Sequence, residues 1–255
     1  YINFQHKLIM FKDKTALITG ANRGIGLAIV KELSKNECNI ISCVRSIDNE
    51  TKKEFEELSS KYKINIKVYE FDLSKPESYQ SILDKILMEN KKIDILINNA
   101  GINHTALFLM TKIEKIREIF EINFFSTLII TQKIVKNMIK SKKGSIINVS
   151  SNAAYEADAG RSGYASSKSA LITFTKVLSK ELGGLGIRVN GVAPGLTQTR
   201  MMNDGLSEKI IKETLDKIPL KRAATPEEIA KVISFLASDS SSYVTGEIIN
   251  ITGGY

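Results

Sequence analysis

An α/β protein built on one parallel β-sheet is predicted by three observations. Seven short runs rich in β-branched residues recur between Lys14 and Ile251, longer stretches with helical apolar spacing separate them, and no linker, repeat or low-complexity tract interrupts the 255 residues. Alternation of strand and helix is the sequence sign of βαβ units, whose crossover helices force successive strands to run parallel. A chain of this length can bury a sizeable core, and residues 10–255 are expected to form one domain.

The expected strands, in order, are TALIT (15–19), NIISCV (39–44), IKVYEF (66–71), IDILIN (93–98), GSIINVS (144–150), IRVNGVA (187–193) and EIINI (247–251). Helical patterns start near Gly24, Glu50, Pro76, Ile113, Gly163 and Pro226. Pro76 and Pro226 each follow a Ser or Thr within two residues, as a proline in the first helical position should. Two patterns run long, about 113–140 and 163–183, and carry more apolar residues than one sheet face needs. Such helices are deeply buried or also meet another subunit, so a homo-oligomer, tetramer or dimer, is expected.

Composition excludes several classes. The formal net charge is +8, but the lysines are spread along helices (Lys52, Lys53, Lys61, Lys85, Lys112, Lys115, Lys136, Lys140) instead of massed in the block a nucleic-acid site needs. Cys38 and Cys43 lie five apart in one expected strand, so they point to opposite faces and cannot pair with each other. Unpaired cysteines suit a reducing compartment, and no apolar run reaches the roughly 18 residues that span a bilayer. The cytoplasm is the expected location. His6 and His104 lack the neighbours of a metal site, and none is expected. Residues 1–9 read as an N-terminal extension to which no function is assigned.

TGANRGIG (19–26) sits between an apolar strand and an amphipathic helix. Glycines at 20, 24 and 26 permit positive φ and let backbone amides approach a pyrophosphate at a helix N-terminus, where unpaired N–H groups and the macrodipole both favour negative charge. The second strand ends Cys43-Val44-Arg45 with no carboxylate, and the glycine turn adds Arg23. Two guanidiniums without an acid favour the 2′-phosphate of NADP over the free ribose of NAD.

Tyr164 and Lys168 are spaced i, i+4 in GRSGYASSK (160–168), so on a helix they share a face. An ammonium near a phenol, ordinarily of pKa about 10, favours the phenolate. The small residues around the pair leave the helix start open to a flat ligand.

Together these motifs resemble the short-chain dehydrogenase/reductase family from Lys14 to Gly254. The resemblance implies a single-domain Rossmann-type doubly wound fold, with a seven-stranded parallel sheet flanked by helices on both faces. It also implies NADP(H) as cofactor. The expected cofactor-binding residues are Gly20, Asn22, Arg23, Gly24, Ile25 and Gly26 in the turn, Arg45, Asp72 and Leu73 in FDL, and Asn99, Ala100 and Gly101 in NNAG. Pro194, Gly195, Thr197 and Thr199 in PGLTQT, with Tyr164 and Lys168, complete that set. Asn123 in FEINFF, Ser151, Tyr164 and Lys168 fall where the family's catalytic tetrad falls. Family spacing puts the serine thirteen residues before the tyrosine, which selects Ser151 and leaves Ser150 facing the sheet.

The implied chemistry is hydride transfer between nicotinamide and a carbonyl or secondary alcohol carbon. Tyr164 would be the general acid, Ser151 would hydrogen-bond the same oxygen, Lys168 would bind ribose and lower the Tyr164 pKa, and Asn123 would support a water relay. Within the family the chain is most similar to 3-oxoacyl thioester reductases of fatty-acid synthesis, whose substrate is carried on acyl carrier protein. Two positions depart from that branch. Arg161-Ser162-Gly163 precedes the tyrosine instead of Gln-Ala-Asn, and Leu185 stands where a second basic residue beside Lys142 or Lys143 would meet the carrier. A reductase of a sugar, polyol or small ketone, and a non-catalytic NADP-binding sensor or scaffold, stay open at this point. The segment from Leu196 to Pro219, with Met201 and Met202, is expected to close over substrate.

Overall fold

Seven parallel strands form one sheet in the order β3-β2-β1-β4-β5-β6-β7. The computed structural model describes residues 10–205 and 208–255; the extension expected at 1–9 lies outside the described residues. The strands are β1 (Thr15–Thr19), β2 (Asn39–Val44), β3 (Ile66–Glu70), β4 (Ile95–Asn98), β5 (Gly144–Val149), β6 (Ile187–Pro194) and β7 (Ile248–Ile251). Ala16 pairs with Ile40 on one side and Ile95 on the other, so β1 is central and the order reverses there. In doubly wound sheets that reversal opens a crevice outside the carboxyl ends of the strands, where ligands bind.

The helices are α1 (Gly24–Lys35), α2 (Asn49–Tyr62), α3 (Tyr79–Glu89), α4 (Ile113–Phe120), α5 (Ser126–Ser141), α6 (Ala153–Glu156), α7 (Ser162–Leu182), α8 (Arg200–Gly205), α9 (Glu208–Lys217) and α10 (Pro226–Ala237). Side chains alternate across the sheet, so each strand feeds two cores. Ile18, Ile40 and Ile97 join Ile29, Leu33, Ile233 and Leu236 from α1 and α10. Leu17, Ile41 and Leu96 join Leu83, Ile134 and Met138 from α3 and α5. The two cysteines divide the same way, Cys38 in the first core and Cys43 in the second, as their spacing predicts.

Element ends follow local chemistry. Thr225 caps α10 by accepting from the Glu228 amide, while the Glu228 carboxylate accepts from the Thr225 amide at 2.8 Å and Pro226 takes the first helical position. Pro76 opens a 3₁₀ turn (Pro76–Ser78), and α3 proper begins only at Tyr79. The continuous helix expected over 113–140 is instead α4 and α5 joined by a π-helical turn, Glu121–Phe125. Periodicity does not register one extra residue in a turn, whereas the hydrogen bonds of Asn123 at its centre do. Helices α6, α8 and α9, in segments read as loop or lid, are further differences; each is short, at ten residues or fewer.

Candidate active site

The turn from β1 to α1 holds Gly20 and Gly24 at φ +66° and +52°, the left-handed region where a side chain is strained. A Cβ on Gly26 would collide with the Gly20 carbonyl, so helix and turn can approach this closely only with hydrogen at that position. Arg23 stands extended at the N-cap of α1 with no side-chain cap, and no acid lies in the first turn. The first-turn amides, Gly24, Ile25 and Gly26, therefore keep their capacity for an anion. This cradle fits a pyrophosphate.

Asn99 ties the turn to the end of β4. Its Nδ2 donates to the carbonyls of Thr19 and Gly20 at 2.9 and 3.1 Å, while the amides of Asn99 and Ala100 both donate to Thr19 Oγ1 at 3.0 Å. Thr19 is thus a positioning residue that the motif reading missed, although it is the first letter of TGANRGIG. Asn22 Nδ2 donates to the Ser46 carbonyl at 3.0 Å, drawing the loop after β2 toward the glycine turn. Arg23 and Arg45 are both exposed along this rim. The next acid beyond β2, Asp48, is committed to capping α2 through the Thr51 amide at 2.7 Å.

Asp72 accepts from the amide and hydroxyl of Ser74 at 3.0 and 2.8 Å. Burial pushes its carboxyl up, but these bonds and the charges of Lys75 and Arg45 outweigh it and hold the pKa below the ordinary value. Leu73 is buried beside it. On the opposite wall, Gly195 donates its amide to Ile251, and Thr197 bridges to Ala224. Thr199 lies so near Gly24 that its methyl would sit 3.3 Å from a Cβ placed there. The PGLTQT segment therefore leans over the glycine turn from across the crevice.

At the chemical end, Tyr164 and Lys168 are both buried on α7. Lys168 Nζ donates to the Val149 carbonyl at 2.8 Å and lies 6.0 Å from the centre of the Tyr164 ring. Ser151, beyond the end of β5, accepts from the Ala153 amide at 3.2 Å and faces the Tyr164 phenol. Ser150 turns away, donating to the Lys168 carbonyl at 2.8 Å, so the serine selected by spacing is the one beside the tyrosine.

Burial pushes the Tyr164 phenol up; contact with Ser151 and the charge of Arg161 offset only part of that push. The Lys168 ammonium, bonded to the Val149 carbonyl, is not among these influences on the phenol. Burial also pushes Lys168 down, from an ordinary 10.5 to about 8.

Asn123 is fully buried in the π turn. Its Oδ1 accepts from the Ile102 amide at 2.8 Å, and its Nδ2 donates to the Ile102 carbonyl and to Ser167 Oγ, each at 3.0 Å. Ser167 in turn donates to the Tyr164 carbonyl at 2.7 Å. A Cβ on Gly101 would stand 3.2 Å from Asn123 Oδ1 and 3.3 Å from Lys168 Nζ. All four expected tetrad residues thus meet at the carboxyl end of β4 and β5. Ser167, Ile102 and Val149 were not singled out, since two act through their backbone and Ser167 reads as one small residue among several.

Two of the small residues near Tyr164 serve packing between helices. A Cβ on Gly163 would meet Ile119 and Ile116 of α4 at 3.2 and 3.4 Å, and Ser167 is buried against Asn123. They let α4 and the π turn pack closely on α7.

Comparison with known proteins agrees with this geometry. The sequence profile of a family described as enoyl-(acyl carrier protein) reductase matches residues 20–255. Proteins named 3-oxoacyl-(acyl-carrier-protein) reductase from Thermotoga maritima and Aquifex aeolicus are 40% and 38% identical, over 95% and 96% of this chain and 98% of each relative. A Brucella melitensis structure of that name with bound NAD superposes with a TM-score of 0.86 at 29% identity, covering 96% of this chain and 92% of the other. A Beutenbergia cavernae structure named for an NAD(P)-dependent gluconate 5-dehydrogenase, with NADP bound, gives 0.90 at 27% identity over 97% and 98%.

Proposed function

Because this chain belongs to the short-chain dehydrogenase/reductase family, we propose that it is an NADPH-dependent reductase converting 3-oxoacyl thioesters to 3-hydroxyacyl thioesters in fatty-acid synthesis. It is an oxidoreductase of the CH–OH/C=O class. The observation that carries the substrate-side reading is the Ser151 hydroxyl facing the buried Tyr164 phenol, with Lys168 behind them.

NADP(H), when bound, supplies the hydride. The glycine turn, Asn99 and the amides of α1 would hold its pyrophosphate; Arg23 and Arg45 would meet the 2′-phosphate; Asp72 and Leu73 would serve the adenine side, and Pro194 to Thr199 with Gly101 the nicotinamide side. Lys168, held by the Val149 carbonyl, would hydrogen-bond the ribose. Tyr164 keeps its proton at neutral pH because burial raises its pKa, which suits a general acid for carbonyl reduction. Ser151 donates to the developing oxyanion, a preorganised bond that strengthens as charge builds on the oxygen. Asn123 orders the Ile102 backbone and Ser167, which positions Tyr164.

For the acyl carrier protein, the supporting feature is basic Lys142 and Lys143, both exposed next to the turn that carries exposed Leu185. For self-association it is the exposure of Phe125 at the end of the π turn, of Ile129 in α5 and of Val177 on α7. Among the described residues no helix is long and apolar enough to cross a membrane. A sugar or polyol ketone is the second reading, favoured by Leu185 in place of a basic residue and by the superposition on the gluconate dehydrogenase. Mixing the protein and NADPH with acetoacetyl thioester, crotonyl thioester and keto sugars decides between them. Consumption of NADPH is expected with the first alone; consumption only with keto sugars, or only with the enoyl thioester, would overturn the proposal.

A further inference from the structure

Arg161 is the N-cap residue of α7 and Tyr164 the third residue of the helix, two positions whose side chains lie on one side of a helix start. Its backbone is fixed. The Arg161 carbonyl accepts from the Ala165 amide at 2.7 Å, and the preceding Gly160 carbonyl accepts from the Ala106 amide at 2.9 Å, which pins the residue against the loop that follows β4. In that loop Asn103 Oδ1 is buried with no hydrogen-bond partner among the described residues. Arg161 is half-buried, and among the described residues its guanidinium has no hydrogen-bond or ion-pair partner. Asp158, the adjacent acid in the chain, offers it only a backbone carbonyl, at 3.3 Å from the Arg161 amide. Its charge nonetheless reaches the Tyr164 phenol. A partly desolvated guanidinium gains most from a carboxylate, whose two oxygens match its planar fork.

We propose that Arg161 receives the carboxylate of a second substrate class, so that this site also reduces ketones bearing a carboxylate near the reacting carbon, such as 3-oxo acids, to hydroxy acids. The inference rests on the placement of Tyr164 and Ser151 argued above. In the reaction the ketone carbon gains the hydride that oxidises NADPH to NADP⁺. The carbonyl π pair moves onto oxygen, Tyr164 gives that oxygen its proton, and the carboxylate is unchanged.

The test compares acetoacetate with its N-acetylcysteamine thioester in wild type, Arg161→Gln and Arg161→Lys, with NADPH fluorescence titration as the check on folding. Loss of the charge beside Tyr164 acts on both substrates alike, so the readout is the ratio of their kcat/KM values. The ratio of acetoacetate to thioester is expected to fall about tenfold or more in Arg161→Gln, chiefly through KM, and to recover in part in Arg161→Lys. An unchanged ratio, or a wild type that reduces the thioester but not acetoacetate, would overturn the inference while leaving the proposed function standing. A wild type inert on both would overturn the two together.

Discussion

Lys168 directs its ammonium to the carbonyl of Val149, 2.8 Å away at the last residue of β5, and burial brings its pKa down to about 8. A cation taken out of water and given one backbone acceptor destabilises the ligand-free fold. Lys168→Met is therefore expected to abolish turnover while raising the thermal midpoint of the ligand-free protein; a lowered midpoint would contradict the assignment.

The same burial has a pH signature. Between about 8 and the ordinary 10.5 the unfolded chain holds a proton on Lys168 that the folded chain has released. Stability contributed by this group therefore rises with pH across that window, and below it the full cost of the buried charge is present. Tyr164, raised by burial, acts oppositely above its ordinary value of about 10. The difference between wild type and Lys168→Met in chemical denaturation from pH 7 to 10 isolates the lysine, and wild type should gain relative to the variant as pH rises.

Arg23 and Arg45 line one exposed rim, drawn together by the bond from Asn22 to Ser46. Replacing either with Ser is expected to raise KM for NADPH by about tenfold, the order of one charge-assisted contact, with little change for NADH. Arg45→Asp should move the preference toward NADH, since a carboxylate there repels the 2′-phosphate and accepts from the ribose. Parallel initial-rate measurements with both cofactors check this, and equal losses would remove the rim from phosphate recognition.

Ser167 links Asn123 to the backbone of Tyr164. Ser167→Ala leaves Asn123 Nδ2 one acceptor short in a buried site, at a cost of about 1–3 kcal/mol. We expect lower stability in denaturant and a kcat reduced more than KM, because the general acid is displaced while the cofactor turn is untouched. Tyr164→Phe, by contrast, should reduce kcat by about 10²- to 10⁴-fold with unaltered stability or a small gain.

Gly163 lies against Ile116 and Ile119 of α4. The methyl of Gly163→Ala meets flexible side-chain ends and should be tolerated, whereas Gly163→Val forces α4 outward and costs about 1–3 kcal/mol. Urea midpoints of the two variants separate these cases.

Much of the fold was legible because its signals are local. Strand, glycine turn and helix at 15–35 follow one another within a single βαβ unit, and Thr225-Pro226 with Glu228 announces the start of α10 by capping chemistry alone. The π turn at Asn123 was not legible, since its extra residue is stabilised by Ile102 and Ser167, 21 and 44 positions away. For the same reason Gly163 reads as room for a ligand when it is in fact contact between helices.

By itself, the sequence determined the order of the seven strands, the position of the glycine turn, the absence of an acid at the end of β2 and the spacing of Tyr164 and Lys168. All of these depend on residues near one another in the chain. Only the tertiary structure decided which carbonyl holds Lys168, that burial raises Tyr164 and that the charge of Arg161 offsets part of that rise. Desolvation and long-range hydrogen bonds are set by what packs around a group, and the chain brings those neighbours together only when it folds.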